Sequence, residues 1–220
     1  MNIKMGLLGA TSLCAAVIGA SAALADDKRT VVRTLDLAGF ERIEIAGVYD
    51  LDVEVGPDYA ITLSGPAREM ERVEAEVKNG TLYLDRKEQR RRLNWGNRDS
   101  LKAEITLPAL SGLTASGVVD GIVRGIDAES FELDLSGVGD VDLEGECGAL
   151  DADVSGVGDL DAETLECRTV KVDVSGVGDA SVYASDSVDA SVSGVGDIDV
   201  YGEPADVKKD GGMFASITVH

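Results

Sequence analysis

The pentapeptide Ser-Gly-Val-Gly-Asp occurs four times in the second half of the chain, and its spacing limits the fold more than any other feature. The copies begin at Ser136, Ser155, Ser175 and Ser193, which are 19, 20 and 18 residues apart. A near-copy, Ser-Gly-Val-Val-Asp, begins 20 residues earlier at Ser116. Repeats of this length are typical of stacked turns of chain, each of which buries its apolar side only against its neighbours. The repeat therefore predicts a stacked fold. It does not predict a function, because the surface of a stacked fold suits many activities.

The residues around each pentapeptide alternate between apolar and polar side chains. From Leu133 to Leu143, the odd-numbered positions are Leu, Val or Gly, and the even-numbered positions are Asp, Ser or Val. Alternation with one apolar face is typical of a half-buried strand. We therefore predict an all-β fold, a parallel β-helix or β-solenoid-like stack of rungs of about 19 residues, with each strand running through the pentapeptide. The glycines are predicted to bend the chain at a corner or to let two walls of a narrow coil approach.

The N-terminal half carries a weaker copy of this pattern and an insertion. Ala46-Gly47-Val48-Tyr49-Asp50 matches the pentapeptide in register, so the stack is expected to begin near residue 40. Pro66 is suited to the first turn of a short helix over residues 67–72. Asn79-Gly80 is a turn signal that predicts a hairpin of residues 73–78 and 81–85. A further strand is expected from Leu101 to Leu107.

The first 25 residues have the features of a secretory signal peptide. Lys4 precedes an apolar run, and Ala23-Leu24-Ala25 forms a small-x-small cleavage site. We predict export to the periplasm, the outer-membrane surface or the medium, and no membrane span in the mature chain. The mature chain is divided into an N-terminal β part at 26–112, with a basic loop at 86–98, and a regular repeat part at 113–220.

The charge is concentrated in the repeat part. Residues 26–102 carry 16 acidic and 14 basic side chains, whereas residues 103–220 carry 25 acidic and 5 basic ones. A field of this sign repels nucleic acid and favours solubility or cation binding. Nucleic acid is therefore excluded as a partner of the repeat part.

If the rungs stack in register, their aspartates form columns. Carboxylates about 4.8 Å apart repel one another by roughly 1 kcal/mol in water and more at a protein surface. Cations, solvation, raised pKa values or hydrogen bonds from turn amides could offset this repulsion. Calcium binds oxygen ligands of this kind, and the alternative is a solvated acidic face with loosely held counterions. The candidate calcium ladder comprises Asp140, Asp159, Asp179 and Asp197, beside a shorter column of Asp142, Asp161 and Asp199.

Valine is the central residue of every copy, and its side chain is predicted to point outward with those of serine and aspartate. An apolar column in register on a surface usually marks a contact. The column is expected either to stack between rungs or to pack against another subunit or another part of the chain; packing against another subunit would make the protein a homo-oligomer. Its members in the exact copies are Val138, Val157, Val177 and Val195.

Two cysteines and one basic segment complete the candidate sites. Cys147 and Cys167 fall on adjacent rungs, at a spacing that a disulfide tolerates, and an exported protein meets oxidising conditions. The basic segment is predicted to be a solvated loop, or to bind an anionic envelope polysaccharide or the acidic face of a second copy. Its candidate residues are Arg90, Arg91, Arg92 and Trp95.

The order of these segments resembles a known family. The strand into Ala46–Asp50, then Ser64-Gly65-Pro66, then residues 105–110 and the serial pentapeptides are together similar to the putative auto-transporter adhesin, head GIN domain family. The resemblance covers roughly residues 35–218. The chain has Gly47-Val48-Tyr49 where the family name suggests Gly-Ile-Asn. The resemblance implies an exported bacterial envelope protein with a role in adhesion.

The sequence predicts no catalytic centre. Its single histidine is His220, so no Ser-His or Cys-His pair is expected within the fold. We predict a non-enzymatic envelope or surface module, an adhesin or assembly protein that binds a surface protein or polysaccharide and needs no cofactor. A calcium-binding structural solenoid is the alternative, and a carbohydrate-active enzyme is the third possibility.

Overall fold

The computed structural model describes residues 29–87 and 100–220. Thirteen strands of this part join in one sheet, accompanied by one short helix, so the all-β prediction is confirmed. No helix in these two ranges is long and apolar enough to cross a membrane. The elements in chain order are β1 (Thr30–Leu35), β2 (Arg42–Val55), β3 (Ala60–Pro66), α1 (Ala67–Met70), β4 (Val73–Lys78), β5 (Thr81–Arg86), β6 (Leu101–Leu107), β7 (Gly112–Leu135), β8 (Val141–Val154), β9 (Leu160–Val174), β10 (Ala180–Val192), β11 (Gly196–Tyr201), β12 (Asp206–Gly211) and β13 (Ala215–Val219).

The N-terminal strands contain the expected helix and hairpin. Helix α1 follows Pro66 but ends at Met70, two residues earlier than expected. Strands β4 and β5 pair antiparallel around Asn79 and Gly80, both of which have positive φ as a tight turn requires. Strand β5 also pairs in parallel with β2, and β6 lies between β2 and β3. The insertion is therefore built into the same sheet as the repeat.

The weaker copy of the pentapeptide in the N-terminal half, Ala46–Asp50, lies in register with the repeat. Strand β2 pairs in parallel with β7, and this pairing places Gly47 beside Gly117 and Val48 beside Val118. The two parts of the chain are thus joined along thirteen consecutive paired positions. A repeat that is weak in sequence can keep its register because its apolar and polar side chains still alternate, and a slip of one residue would turn the apolar side chains to the other face.

Strands β7 to β11 pair in parallel in sequence order, each with the strand that follows it. Strand β12 pairs with β10, and β13 pairs with β11. The inward side chains stack in buried columns, and removal of this apolar surface from water is the main favourable term in folding. One such column contains Phe131, Leu150, Val170 and Val188, none of which is more than 3% exposed.

The strands are interrupted at the exact copies of the pentapeptide, and this corrects the sequence prediction, although β7 runs through the near-copy at Ser116 and β11 begins at Gly196 within the last copy. Strand β7 ends at Leu135 and β8 begins at Val141, and between them Val138 forms β-bridges with Val118 and Val157. The second glycine of each exact copy has a positive φ, +135° at Gly139 and +150° at Gly158, where other residues are strained. The pentapeptide is therefore a corner between strands, although its side chains still alternate between the two faces.

The glycines are also required because consecutive rungs approach closely. A Cβ placed on Gly156 would lie 1.8 Å from the carbonyl oxygen of Gly137, and one on Gly176 would lie 1.9 Å from that of Gly156. The close approach predicted from the sequence thus occurs between neighbouring rungs, and not between opposite walls of a coil.

We expect Gly156→Ala to lower the free energy of unfolding by about 1–3 kcal/mol, because the added methyl group meets backbone that cannot move independently. Gly211→Ala is the matched control, since a Cβ there meets nothing within 4 Å. Urea unfolding followed by circular dichroism measures both variants. Equal stabilities of the two variants would show that the close contact between rungs does not require glycine at position 156.

Candidate functional site

The pentapeptide corners place the predicted valines side by side on the surface. Parallel β-bridges connect each valine with the next from Val118 to Val195. Their exposed fractions lie between 43% and 53%. Contact between rungs therefore covers only about half of each side chain. We call the set the valine column; it comprises Val118, Val138, Val157, Val177 and Val195.

The column extends beyond the residues predicted from the repeat. Val48 pairs with Val118 at one end. At the other end Gly196 pairs with Ala215, so Phe214 occupies the position next to Val195 and is 72% exposed. Seven apolar positions at a strand spacing of about 4.8 Å extend for roughly 29 Å. Sequence reasoning missed Phe214 because residues 212–216 share no residue with the pentapeptide at the corresponding position. The 19-residue offset from Val195 was the available signal.

The aspartates form a hydrogen-bonded ladder. The Oδ1 atom of Asp140 accepts a hydrogen bond from the backbone N–H of Asp159 at 3.0 Å, and that of Asp159 accepts one from Asp179 at 2.9 Å. The same contact links Asp179 to the N–H of Asp197 at 2.8 Å. Asp197 in turn accepts from the N–H of Ser216 at 3.0 Å. Each carboxylate thus satisfies an amide at the start of the next rung, which offsets part of the repulsion along the column.

The predicted calcium ladder lies in this column. Within residues 29–87 and 100–220, no group of three or more His, Cys, Asp or Glu side chains is arranged to hold a metal ion. The hydrogen-bonded ladder gives the aspartates a structural role, and calcium binding by Asp140, Asp159, Asp179 and Asp197 stays a prediction. The shorter column is interrupted, because Ser181 lies between Asp161 and Asp199.

Two other acidic positions are electrostatically unfavourable. Desolvation raises the pKa of Asp142, and the carboxylates of Asp161 and Asp140 raise it further. Desolvation also raises the pKa of Asp153, with Asp173 and Asp134 on the neighbouring strands acting in the same direction. Ionisation of these two side chains is therefore less favourable in the folded protein than in the unfolded chain.

A third outward column contains both acidic and basic side chains and was not identified from the sequence; it comprises Glu132, Asp151, Lys171, Asp189 and Lys208. Arg42 pairs with Glu132 across β2 and β7. The Lys171 Nζ lies 2.8 Å from the Asp151 Oδ1, and the Lys208 Nζ lies 3.7 Å from the Asp189 Oδ2. These exposed pairs contribute little individually. Two of the five basic side chains of the repeat part, Lys171 and Lys208, belong to this column.

Cys147 and Cys167 are joined by a disulfide between β8 and β9, and both side chains are buried. An open groove of about 520 Å³ lies beside the bond. Its outward residues are acidic at Asp127, Glu146 and Glu166, which occupy one register column.

The other predicted sites are largely outside the ranges that the structure describes. Arg90, Arg91, Arg92 and Trp95 lie outside the described residues. At the start of the basic segment, Arg86 pairs with Glu69, and the Lys87 Nζ lies 2.9 Å from the Glu74 Oε1.

His220 is engaged at the surface of the last rung. Its Nε2 lies 2.9 Å from the Asp199 Oδ1, and its ring stacks on Tyr201 with 4.8 Å between the ring centroids. The arrangement binds the end of β13 to β11 and gives the histidine a structural role.

The family model described as "Putative auto-transporter adhesin, head GIN domain" matches residues 39–204. The chain belongs to this family. Tyr49, at the third position of the motif suggested by the family name, is buried, and burial raises its pKa to about 12. The residue is therefore part of the head GIN domain core.

Solved structures share the fold. A "putative adhesin" from Bacteroides fragilis NCTC 9343 is 24% identical with a TM-score of 0.73, over 88% of this chain and 98% of that one. A "putative adhesin" from Parabacteroides distasonis ATCC 8503 is 18% identical with a TM-score of 0.51, over 87% and 98% of the two chains. At these identities the similarity shows the fold. No curated protein matches the chain.

We expect Asp159→Ala to lower the free energy of unfolding by about 1 kcal/mol, because the N–H of Asp179 loses its acceptor. Asp159→Asn keeps an acceptor oxygen and removes one charge, so it should be at least as stable as the wild type. Thermal unfolding with calcium and with EDTA extends the test. A hydrogen-bonded ladder gives the same midpoint in both, whereas a calcium-dependent rise that Asp159→Asn abolishes would show a cation site.

We expect Asp153→Asn to raise the stability at pH 7, because it removes a carboxylate whose pKa is raised by folding. The gain should shrink as the pH falls through this raised pKa, since the wild-type side chain then becomes protonated in the folded state. Urea unfolding at a series of pH values measures the difference. Asp151→Asn, which loses its pair with Lys171, is the control and should give no gain. A gain for Asp153→Asn that persists well below the ordinary aspartate pKa of 3.8 would contradict the electrostatic cause.

Proposed function

We propose that the protein is an exported, non-catalytic envelope or cell-surface module that adheres or assembles through the outward side of its repeat. Membership of the head GIN domain family supports a role in adhesion. The disulfide between Cys147 and Cys167 supports export, because disulfides persist in oxidising compartments.

We infer further that each rung is a closed turn of a β-solenoid. Strand β8 has 14 residues, which would span roughly 46–50 Å if straight, whereas five linking residues reach only about 18 Å. Yet Leu160, directly after this link, pairs with Val141 at the start of β8. The chain must therefore turn back within β8, and the register shift between Asp142 and Gly145 supports a bend there.

The exposed valine column is the observation that carries the proposed function. Its five valines form an apolar row roughly 19 Å long that remains in contact with water, with serine on one side and aspartate on the other, and Val48 and Phe214 extend the row at its ends. Apolar rows rimmed by polar residues mark interaction surfaces. The repetition suits an extended partner, since each rung offers the same contact at the same spacing.

The charge beside the column favours a protein partner. The adjacent aspartate ladder would repel an anionic polysaccharide, whereas it would attract basic side chains beside an apolar strip. We therefore propose that the valine column binds a surface protein with apolar and basic residues. Binding of polysaccharide by Arg90, Arg91, Arg92 and Trp95 is proposed from the sequence alone.

We propose that this function requires no catalysis and no resident cofactor. His220, the single histidine of the sequence, is held against Asp199 and Tyr201. The repeated acidic residues are engaged with amides and neighbouring strands instead of forming one distinct pair of carboxylates, as glycoside hydrolysis would need.

A binding assay on intact cells of the producing bacterium tests the role of the column. We expect the Val157→Lys, Val177→Lys double variant to bind at least tenfold more weakly than the wild type, because two exposed apolar contacts are lost and two charges are introduced. The Ala149→Lys, Thr169→Lys variant makes the same charge change on adjacent rungs in a different column and should retain binding.

Both variants should keep the wild-type thermal midpoint, which confirms that the fold is intact. Equal weakening by the two variants would assign the effect to charge alone. Unchanged binding by both would exclude the valine column as the adhesive surface.

A further inference from the structure

The last rung has an unpaired edge. Strand β13 pairs with β11 on one side, and among residues 29–87 and 100–220 no strand pairs with its other side. An open edge of this kind is a template for a strand of another chain, and natural proteins usually protect it with charges, proline or a bulge. Strand β13 has the sequence Ala-Ser-Ile-Thr-Val and contains none of these.

The backbone of β13 has donors that face this edge. The N–H of Ser216 points back to Asp197, and the N–H of His220 donates to the carbonyl of Val200 at 2.9 Å. Because successive residues of a strand direct their N–H groups to opposite sides, those of Ile217 and Val219 point away from β11. The Ile217 carbonyl accepts a hydrogen bond from the Lys209 Nζ at 3.0 Å, so the two amides and the Val219 carbonyl are available for a new strand, and a strand that pairs at Ile217 must displace the Lys209 side chain.

The inward apolar side chains of the last rung are also more exposed to solvent than those of the inner rungs. Val207 on β12 is 38% exposed, whereas Val188, its partner on β10, is 3% exposed. Ile217 is partly exposed, whereas its neighbour Ile198 is fully buried. The difference arises because each inner rung has a neighbour on both sides and the last rung has a neighbour on one.

The charge falls to zero at the same place. Residues 206–220 carry two acidic and two basic side chains, whereas residues 103–205 carry 23 acidic and 3 basic ones. Two copies approaching side by side would repel one another strongly. At the last rung this local repulsion is absent, and exposed apolar surface is available.

We propose that a second copy of this chain docks on the β13 edge, with the two β13 strands antiparallel and related by a two-fold axis at Ile217. This register places Ser216 opposite the partner's Thr218, and Ala215 opposite the partner's Val219. The outward face of the pair is uncharged and the inward face is apolar, so the inner columns of the two copies become continuous. A two-fold contact is self-complementary and closes at a dimer.

The first strand of a second copy is the other possible occupant. Strand β1 is also an edge, since it pairs with β3 alone in the described part of the chain. A contact between β13 and β1 would join the copies head to tail and produce open filaments instead of a closed pair. The self-complementary, uncharged sequence of β13 favours the dimer.

Light scattering coupled to a sizing column tests the proposal on the purified full chain. We expect a mass twice that of the chain. Ser216→Lys with Thr218→Lys places like charges opposite each other twice and should raise the dimer dissociation constant about tenfold or more. Ser216→Lys with Thr218→Glu places opposite charges in the same positions and should restore the dimer. Both side chains are exposed, and thermal unfolding checks that the variants fold.

A monomeric wild-type protein would overturn the proposal. Filaments, or a dimer that neither charge variant affects, would assign the association to another edge or surface. The valine column is a different surface, so loss of cell binding without loss of the dimer, or the reverse, separates this proposal from the proposed function.

Discussion

Hydrogen bonding between the backbones of consecutive rungs is the interaction on which the rest of the structure depends. It holds neighbouring rungs so close that the carbonyl of Gly137 occupies the place of a side chain on Gly156. Glycine is therefore required twice in each corner, and the three remaining residues point outward at equal intervals. The serine, valine and aspartate columns are consequences of this spacing. A surface feature of any kind on this side is repeated in every rung, so we expect binding to depend on several copies together.

The same spacing creates an electrostatic cost. Acidic side chains of neighbouring rungs lie side by side, and the raised pKa values of Asp142 and Asp153 show where desolvation adds to their mutual repulsion. The aspartate ladder offsets this cost, because each carboxylate accepts a hydrogen bond from the next rung. The buried apolar columns on the inner face supply the larger favourable contribution. In the dimer that we propose, the remaining negative charge keeps the copies apart along their sides, and they meet at the neutral last rung.

Much of this architecture could be predicted from the sequence, because the spacing of an exact repeat shows which residues of neighbouring rungs lie side by side. The valines, the aspartates and the two cysteines fall on the columns that the 18–20-residue spacing implies, and Ala46–Asp50 pairs with the near-copy as expected. The break in the strand at each pentapeptide could not be predicted, because alternation persists through a corner and does not reveal a positive φ at Gly158. Phe214 was missed because residues 212–216 share no residue with the pentapeptide at the corresponding position, so only the pairing of Gly196 with Ala215 reveals its place. The hydrogen bond between each aspartate and a backbone amide could not be predicted either, because it depends on distances between atoms that the sequence does not give.

Amide hydrogen exchange measured by NMR at the pentapeptide corners is the most direct test of backbone contact between rungs. The N–H groups of Val157, Val177 and Val195 donate to the glycine carbonyls of the preceding rung at 2.9–3.0 Å, although these residues lie outside the long strands. We expect these amides to exchange as slowly as those of the neighbouring strands, because opening them requires separation of whole rungs. Exchange at the rate of an exposed loop would contradict it, since the corners would then be free of the stacking that places the valine and aspartate columns.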